Sequence, residues 1–339
     1  MQEERMYRMT KLALSVLDLA PVLPDQTATD AFHNSKELIQ HTDELGYYRY
    51  WVAEHHNMES IASSATAVLI GYLAGHSKSI RVGSGGIMLP NHAPLIVAEQ
   101  FGTLESMYPG RIDLGIGRAP GTDPMTVQAL RRDTRNAVNQ FPENVNEILQ
   151  YLSDADMPVK AYPGHNTNVP VYLLGSSTYG AQLAAAMGLP YAFASHFAPK
   201  ELHNALKIYH ERFQPSEYLD EPYAMVTVNV TLADTVEEAE RLASTSKLKF
   251  LSIIRGNRSI DTAPVDHVDD YMSPMEKEQV MSMLKYSFVG DKAKVTEELK
   301  AFHEETRFQE LIVTTDIHDQ EKRRYSYTLL KELWNDLDI

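Results

Sequence analysis

Apolar residues follow two alternating patterns along most of the chain. Short apolar runs bounded by turn residues predict strands, and stretches with apolar residues three or four positions apart predict helices. The predicted strands are residues 11–17, 50–54, 80–86, 111–117, 169–174, 191–194, 223–232 and 310–315. The predicted helices are one capped by Thr29 or Asp30 and ending near Leu45, then residues 63–76, 94–108, 124–132, 143–152, 178–187, 200–213, 235–249, 291–305 and 321–337.

The order of these elements predicts a parallel sheet. Strands that alternate with helices are typical of α/β folds, and eight such strands are the number that closes a (β/α)8 TIM barrel. We therefore expect one TIM-barrel domain over residues 1–339, with an open doubly wound sheet as the alternative. Residues 252–288 show no clean period and are expected to form a segment inserted after the seventh strand.

Composition narrows the classes of function. The chain has 339 residues, of which 43% are hydrophobic, and a net charge of −15. This acidic balance argues against nucleic acid as a partner, which needs a basic surface. Cysteine is absent, so disulfides, thiolate metal sites and cysteine nucleophiles are excluded. No apolar run approaches the ~18 residues of a membrane helix, and the N-terminus lacks a signal core, so we expect a cytoplasmic protein without a membrane partner.

The strand ends carry the candidate chemistry, because the C-termini of barrel strands face the active site. The residues that follow successive strands are Asp18, His55-His56, Gly85-Gly86, Arg118, Gly175-Ser176-Ser177 and His196. Side chains alternate along a strand, so only one of the two adjacent histidines can easily point into a site. A metal site at Glu54, His55 and His56 is disfavoured, since adjacent histidines diverge and no third ligand follows at a metal-binding spacing.

Arg118 and the Gly-Ser-Ser turn at 175–177 have the composition of a phosphate site. A helix N-terminus offers unpaired N–H groups, Ser176 and Ser177 add hydroxyls, and Arg118 adds a bidentate guanidinium. The alternative interpretation is that one of the serines simply caps the helix that follows.

Four motifs together resemble the bacterial luciferase-like flavin monooxygenases. They are WVAEHH (51–56), RVGSGGIMLP (81–90), GRIDLGIGR (110–118) and LGSS (174–177). The resemblance implies a TIM barrel that binds reduced FMN non-covalently at its C-terminal face, with His55 as the active-site histidine. It also implies a cis peptide between Gly85 and Gly86 beneath the flavin ring, and a phosphate held by Arg118, Ser176 and the backbone of Tyr179.

The resemblance also implies an activity. Reduced FMN from a separate flavin reductase would react with O2, through a C4a-peroxyflavin, to oxygenate a small organic substrate, and residues 252–288 would be the active-site lid. Two departures, Gly175 where luciferases carry an acid and Gly117 where they carry a reactive cysteine, put light emission in doubt. The alternatives are F420-dependent hydride transfer on the same fold and a non-catalytic flavin-binding protein.

The helix at residues 63–75 is apolar nearly all round. An outer barrel helix buries one face, so a second apolar face needs a cover. Small residues such as Ala67, Gly71 and Ala74 suit close helix approach, and we expect a homodimer packed through the helices at 63–76 and 94–108, as the resemblance also implies. The alternative is that loops or the inserted segment cover this face within one chain.

Overall fold

The protein is a closed parallel barrel. The computed structural model describes residues 12–119, 123–130, 139–256 and 263–337. The strands are β1 (Ala13–Asp18), β2 (Arg49–Val52), β3 (Arg81–Met88), β4 (Ile112–Gly117), β5 (Val171–Gly175), β6 (Tyr191–Phe193), β7 (Ala224–Leu232), β8 (Ser287–Gly290) and β9 (Glu310–Thr314). Strands β1 to β7 and β9 form a ring that closes through β6–β7 and β9–β1, which confirms the predicted TIM barrel.

Helices surround this ring. They are α1 (Ala28–Glu44), α2 (Thr66–Gly75), α3 (Pro94–Met107), α4 (Pro124–Ala129), α5 (Phe141–Leu152), α6 (Thr178–Met187), α7 (Leu202–Arg212), α8 (Val236–Ile254), α9 (Pro274–Met283), α10 (Lys292–Thr306) and α11 (Gln320–Asp336). Helix α1 begins after Thr27, whose side chain forms a capping box with Asp30, so the predicted cap at Thr29 or Asp30 is wrong by two or three positions. No helix among these described residues is long and apolar enough to cross a membrane.

The predicted insertion has regular structure that its sequence pattern did not show. Helix α8 runs into it, α9 lies within it, and β8 pairs in parallel with the outer end of β7 rather than joining the ring. Phe250 and Leu251 of α8 pack on Val280 and Leu284 in a small apolar cluster that holds α9 against α8. Residues 257–262 of this segment, like residues 11, 131 and 132 of two other predicted elements, lie outside the described residues.

Small residues of helix α2 pack against other parts of the same chain. Ala74 is buried in the core, and a Cβ atom at Gly71 would lie 3.2 Å from Leu104 of α3. Tyr108 also donates a hydrogen bond to the carbonyl of Gly71. Gly71 thus allows close approach of α2 to α3 within one chain, and the exposed large apolar residue of α2 is Val68, which is 74% exposed.

The barrel interior is layered. Charged side chains fill the N-terminal end, where Arg49 is paired with Asp113 at 2.8 Å and lies 2.7 Å from Glu310. Above them lies an apolar layer of Leu17, Trp51, Ala53, Tyr172, Ala192, Met225 and Ile312. These two layers fill the N-terminal part of the barrel. The space for a ligand is therefore at the C-terminal ends of the strands, which we call the mouth.

Candidate active site

The two histidines after β2 have different environments. Along β2, Arg49 and Trp51 point into the barrel, and Ala53 continues this face. His56 turns the other way, and its Nε2 lies 2.7 Å from Glu54. His55 stands two positions after Ala53, and its Nδ1 is buried with no hydrogen-bond partner among the described residues. The structure thus separates the two rings, as strand alternation predicts.

His55 is a neutral imidazole at neutral pH. Burial, followed by the charge of Lys249, lowers the pKa of His55 to about 4, although Glu54 acts in the opposite direction. A neutral ring offers one N–H donor and one acceptor nitrogen. His55 can therefore exchange a hydrogen bond or a proton with a ligand in the mouth.

The carboxylate of Glu54, next to His55, accepts several hydrogen bonds. His92, from the segment after β3, places Nε2 at 2.9 and 3.0 Å from the two oxygens of Glu54, and the Met88 N–H donates to it at 3.0 Å. Burial would raise the pKa of Glu54, but the hydrogen bonds from His56 and His92 lower it to about 2. The carboxylate is thus ionised and ties the end of β2 to the end of β3.

This cluster also has the composition of a metal site. The ligand atoms of Glu54, His56 and His92 all lie within 4.8 Å of one another. The sequence analysis found no third ligand because His92 lies 36 positions beyond His56. The hydrogen bonds to Glu54 already satisfy its carboxylate, so the cluster is complete as a hydrogen-bonded network.

Glycines form the side of the mouth next to His55. The peptide between Gly85 and Gly86 is cis, as the resemblance implies. A Cβ at Gly85 would lie 2.8 Å from Leu17, and one at Gly86 would lie 2.7 Å from the backbone oxygen of Gly115. Gly86 therefore requires glycine, because a Cβ there would meet the backbone of β4, whereas a Cβ at Gly85 would require the Leu17 side chain to shift.

The predicted phosphate residues lie together at the ends of β4 and β5. The guanidinium of Arg118 stacks on the ring of Tyr179, 3.8 Å from its centroid. Ser177 is the N-cap residue of α6, yet its side chain makes no capping hydrogen bond, so capping does not account for it. Ser176 and Ser177 are exposed, and the first N–H groups of α6 receive no capping hydrogen bond from the Ser177 side chain.

The comparisons with known proteins cover nearly the whole chain. A model of the luciferase-like monooxygenase family matches residues 12–309. A luciferase-like monooxygenase of Escherichia coli K12 is 46% identical over 328 residues, 96% of this chain and 98% of the relative. The chain belongs to the luciferase-like monooxygenase family. The N-acetyl-S-alkylcysteine monooxygenase of Bacillus subtilis is 32% identical over 95% of this chain and 98% of that protein.

Solved structures agree with this assignment. The crystal structure of apo-MsnO8 superposes with a TM-score of 0.89 at 35% identity, over 96% of this chain and 99% of that one. Two more distant structures share the fold alone. They are 3,6-diketocamphane monooxygenase of Pseudomonas putida in complex with FMN (TM-score 0.71, 17% identity) and an F420-dependent secondary alcohol dehydrogenase (TM-score 0.72, 15% identity).

One residue that we placed at the strand ends lies elsewhere in this family member. Asp18 is fully buried between strands and helices, where Arg323 lies at 3.0 Å and Ser35 and Tyr50 donate hydrogen bonds at 2.5 and 2.6 Å. Leu17 faces the barrel interior, so its neighbour Asp18 must face outward. The expectation that Asp18 lines the mouth is wrong.

The sequence analysis missed two charged residues of the mouth. Lys249 of α8 and Asp316, two residues after β9, form an ion pair with distances of 2.8 and 2.9 Å. Burial, followed by Lys249, lowers the pKa of His196 to about 3, which makes this predicted strand-end residue a second neutral histidine. Nothing in the local sequence marks Lys249, because it lies within a long amphipathic helix.

Proposed function

We propose that this chain is a flavin-dependent monooxygenase that uses reduced FMN and O2 to oxygenate a small organic substrate. The proposal rests on the residues that line the mouth. A neutral His55 with an unpartnered buried Nδ1 stands beside the Gly85-Gly86 cis peptide. The strand ends that carry Arg118 and Ser176 lie on the same rim. Family membership and the FMN complex of a protein with this fold support the choice of cofactor.

The residues fit FMN at two places. Arg118, Ser176, Ser177 and the start of α6 would hold its phosphate, since they supply a guanidinium, two hydroxyls and unpaired N–H groups. Tyr179 supports the guanidinium through the cation–π contact. The flavin ring would lie against the glycine backbone of β3, where the absence of side chains allows close approach.

When bound, reduced FMN would supply the electrons that activate O2 for transfer of one oxygen atom to the substrate. His55 would hold or move a proton at Nδ1 next to the reacting atoms, because it is neutral and within the mouth. His56 and Glu54 would act only by fixing the backbone of His55, since their polar atoms bond to each other.

We further propose that residues 252–288 act as a lid that excludes water from the mouth. The support is that α9 packs on the second half of α8, the same half that carries Lys249 into the mouth. An ion pair between Arg255 and Glu276, at 2.7 Å, links the C-terminal end of α8 to the first turn of α9. Replacing Glu276 with Gln should loosen the lid and raise H2O2 release per FMN oxidised, while equal release would contradict the lid.

We also propose a homodimer that covers the exposed apolar residues of α2 and α3. Val68 is 74% exposed, Ile96 47% and Met107 58%. Val68→Glu should shift the protein from dimer to monomer in light scattering at micromolar concentration. Val159→Glu is the matched control, because Val159 is also exposed (53%) but lies outside both helices. A wild-type monomer would contradict this assembly.

Anaerobic titration tests the cofactor directly. The purified protein should bind reduced FMN more tightly than oxidised FMN, and F420 more weakly than either. Admission of O2 with a flavin reductase, NADH and N-acetyl-S-alkylcysteine as a first substrate probe should then yield product carrying one atom from labelled O2. Binding of F420 without binding of FMN would favour hydride transfer and overturn the proposal.

A further inference from the structure

Three residues on one side of the mouth form a cluster that the flavin residues do not use. His196 follows β6, Asp316 follows β9, and Lys249 reaches in from α8. In the eight-strand ring, β2 and β6 are four strands apart, so His55 and His196 lie on opposite walls. Arg118 and Ser176 follow β4 and β5, so the Lys249–Asp316 pair lies across the ring from the predicted phosphate.

The Lys249–Asp316 ion pair is mostly buried, and its ammonium acts on both histidines. Lys249 contacts both oxygens of Asp316 at 2.8 and 2.9 Å, and the side chains are only 18% and 12% exposed. Lys249 acts on His196 more strongly than Asp316 does, and it acts on His55, where no effect of Asp316 is resolved. The charge of the Lys249 ammonium therefore reaches both imidazole rings.

Two hydrogen-bonding atoms on the same side of the ring, at the ends of β6 and β9, lack partners. Among the described residues, Nδ1 of His196 and Oγ1 of Thr314, the last residue of β9, are buried without a hydrogen bond. Thr314 is 2% exposed, and the backbone of His196 is fixed because Asn229 donates to its carbonyl at 2.7 Å. A buried polar atom without a partner is unfavourable, so these atoms indicate a ligand that supplies the partner.

We infer that Lys249, His196 and Thr314 form a subsite for a carboxylate group of the substrate. A lysine ammonium has three N–H donors, a threonine hydroxyl donates one hydrogen bond, and a neutral imidazole can donate one. A carboxylate only accepts hydrogen bonds, and those donated by an ammonium are charge-assisted. The inference rests on the proposed function, because it assigns this side of the mouth to the substrate and the other side to the flavin.

Binding of benzoate and benzamide tests the subsite without any turnover. Calorimetry on the FMN-loaded protein and on the protein alone should show benzoate binding at least tenfold tighter than benzamide in both. Lys249→Met should remove this preference. Lys247→Met is the matched control, since Lys247 lies on the same helix but pairs with Glu240 at 3.1 Å, and it should leave benzoate binding unchanged.

Loss of Lys249 alone leaves Asp316 as an unpaired buried charge, which can unfold the protein. The double variant Lys249→Met with Asp316→Asn avoids this charge and should show the same loss of preference. Equal affinities for benzoate and benzamide in the wild type, or an unchanged preference in the double variant, would overturn the subsite. Loss of benzoate binding when FMN is added would also overturn it, because the site would then belong to the flavin. None of these results depends on whether FMN supports oxygenation.

Discussion

Protonation of His196 should destabilise the fold in mild acid. Burial, and then Lys249, lower its pKa from 6.5 to about 3, with opposition from Asp316 and a small further decrease from His55. The unfolded chain binds the proton more readily, so stability falls as the pH drops below 6.5 and stops falling near 3. At pH 5 the loss relative to pH 7 is about 2 kcal/mol from this one group.

The variant His196→Gln cannot take up this proton. Its free energy of unfolding, measured by urea denaturation, should therefore fall between pH 7 and pH 5 by about 2 kcal/mol less than that of the wild type. The carboxylate of Glu54 does not interfere, because its contribution is lost only as the pH falls below 4.5 towards 2. His33→Gln on the exposed face of α1 is the control for the substitution itself. An equal loss in His196→Gln and wild type would refute the neutral, buried state of His196.

Three further predictions concern the site and the barrel. Arg118→Ala should weaken FMN binding at least tenfold and riboflavin binding little, since riboflavin has no phosphate. Equal losses of affinity for the two ligands in a fluorescence titration would show that Arg118 does not bind the phosphate. His55→Ala should abolish product formation while FMN still binds. His56→Ala should mainly lower thermal stability, because Glu54 loses a hydrogen bond. The opposite pattern in a turnover assay would exchange the roles of the two histidines. Gly83→Ala should lower the free energy of unfolding by about 1–3 kcal/mol, because its Cβ would lie 2.4 Å from the Asp113 carbonyl oxygen. Gly175→Ala is the control in the same denaturation assay, since its Cβ would lie 3.4 Å from the nearest atom. Equal stabilities of the two variants would contradict this steric argument.

The barrel could be predicted because its strands are buried runs bounded by turn residues and separated by helical patterns. β7 is buried over all nine residues, and its bounds were predicted to within one residue. The inserted segment could not be predicted in the same way. Helix α9 buries only Val280, and β8 has four residues of which two are buried, so neither carries a clear period.

The site was predicted only where strand geometry decides it. Alternation separated His55 from His56, and the same argument applied to Leu17 would have placed Asp18 outside the mouth. Lys249 and Asp316 lie 67 positions apart and meet only when α8 folds over the end of β9. Pairs of this kind depend on tertiary packing, which no local pattern records.

A crystal structure of the protein with reduced FMN tests the central claim most directly. The account predicts the phosphate at Arg118, Ser176 and the start of α6, and the flavin ring against Gly85-Gly86 within hydrogen-bonding reach of His55 Nδ1. The side of the mouth that carries Lys249 and Asp316 should remain accessible to substrate. An FMN phosphate at Lys249, or a flavin bound outside the barrel mouth, would contradict the account.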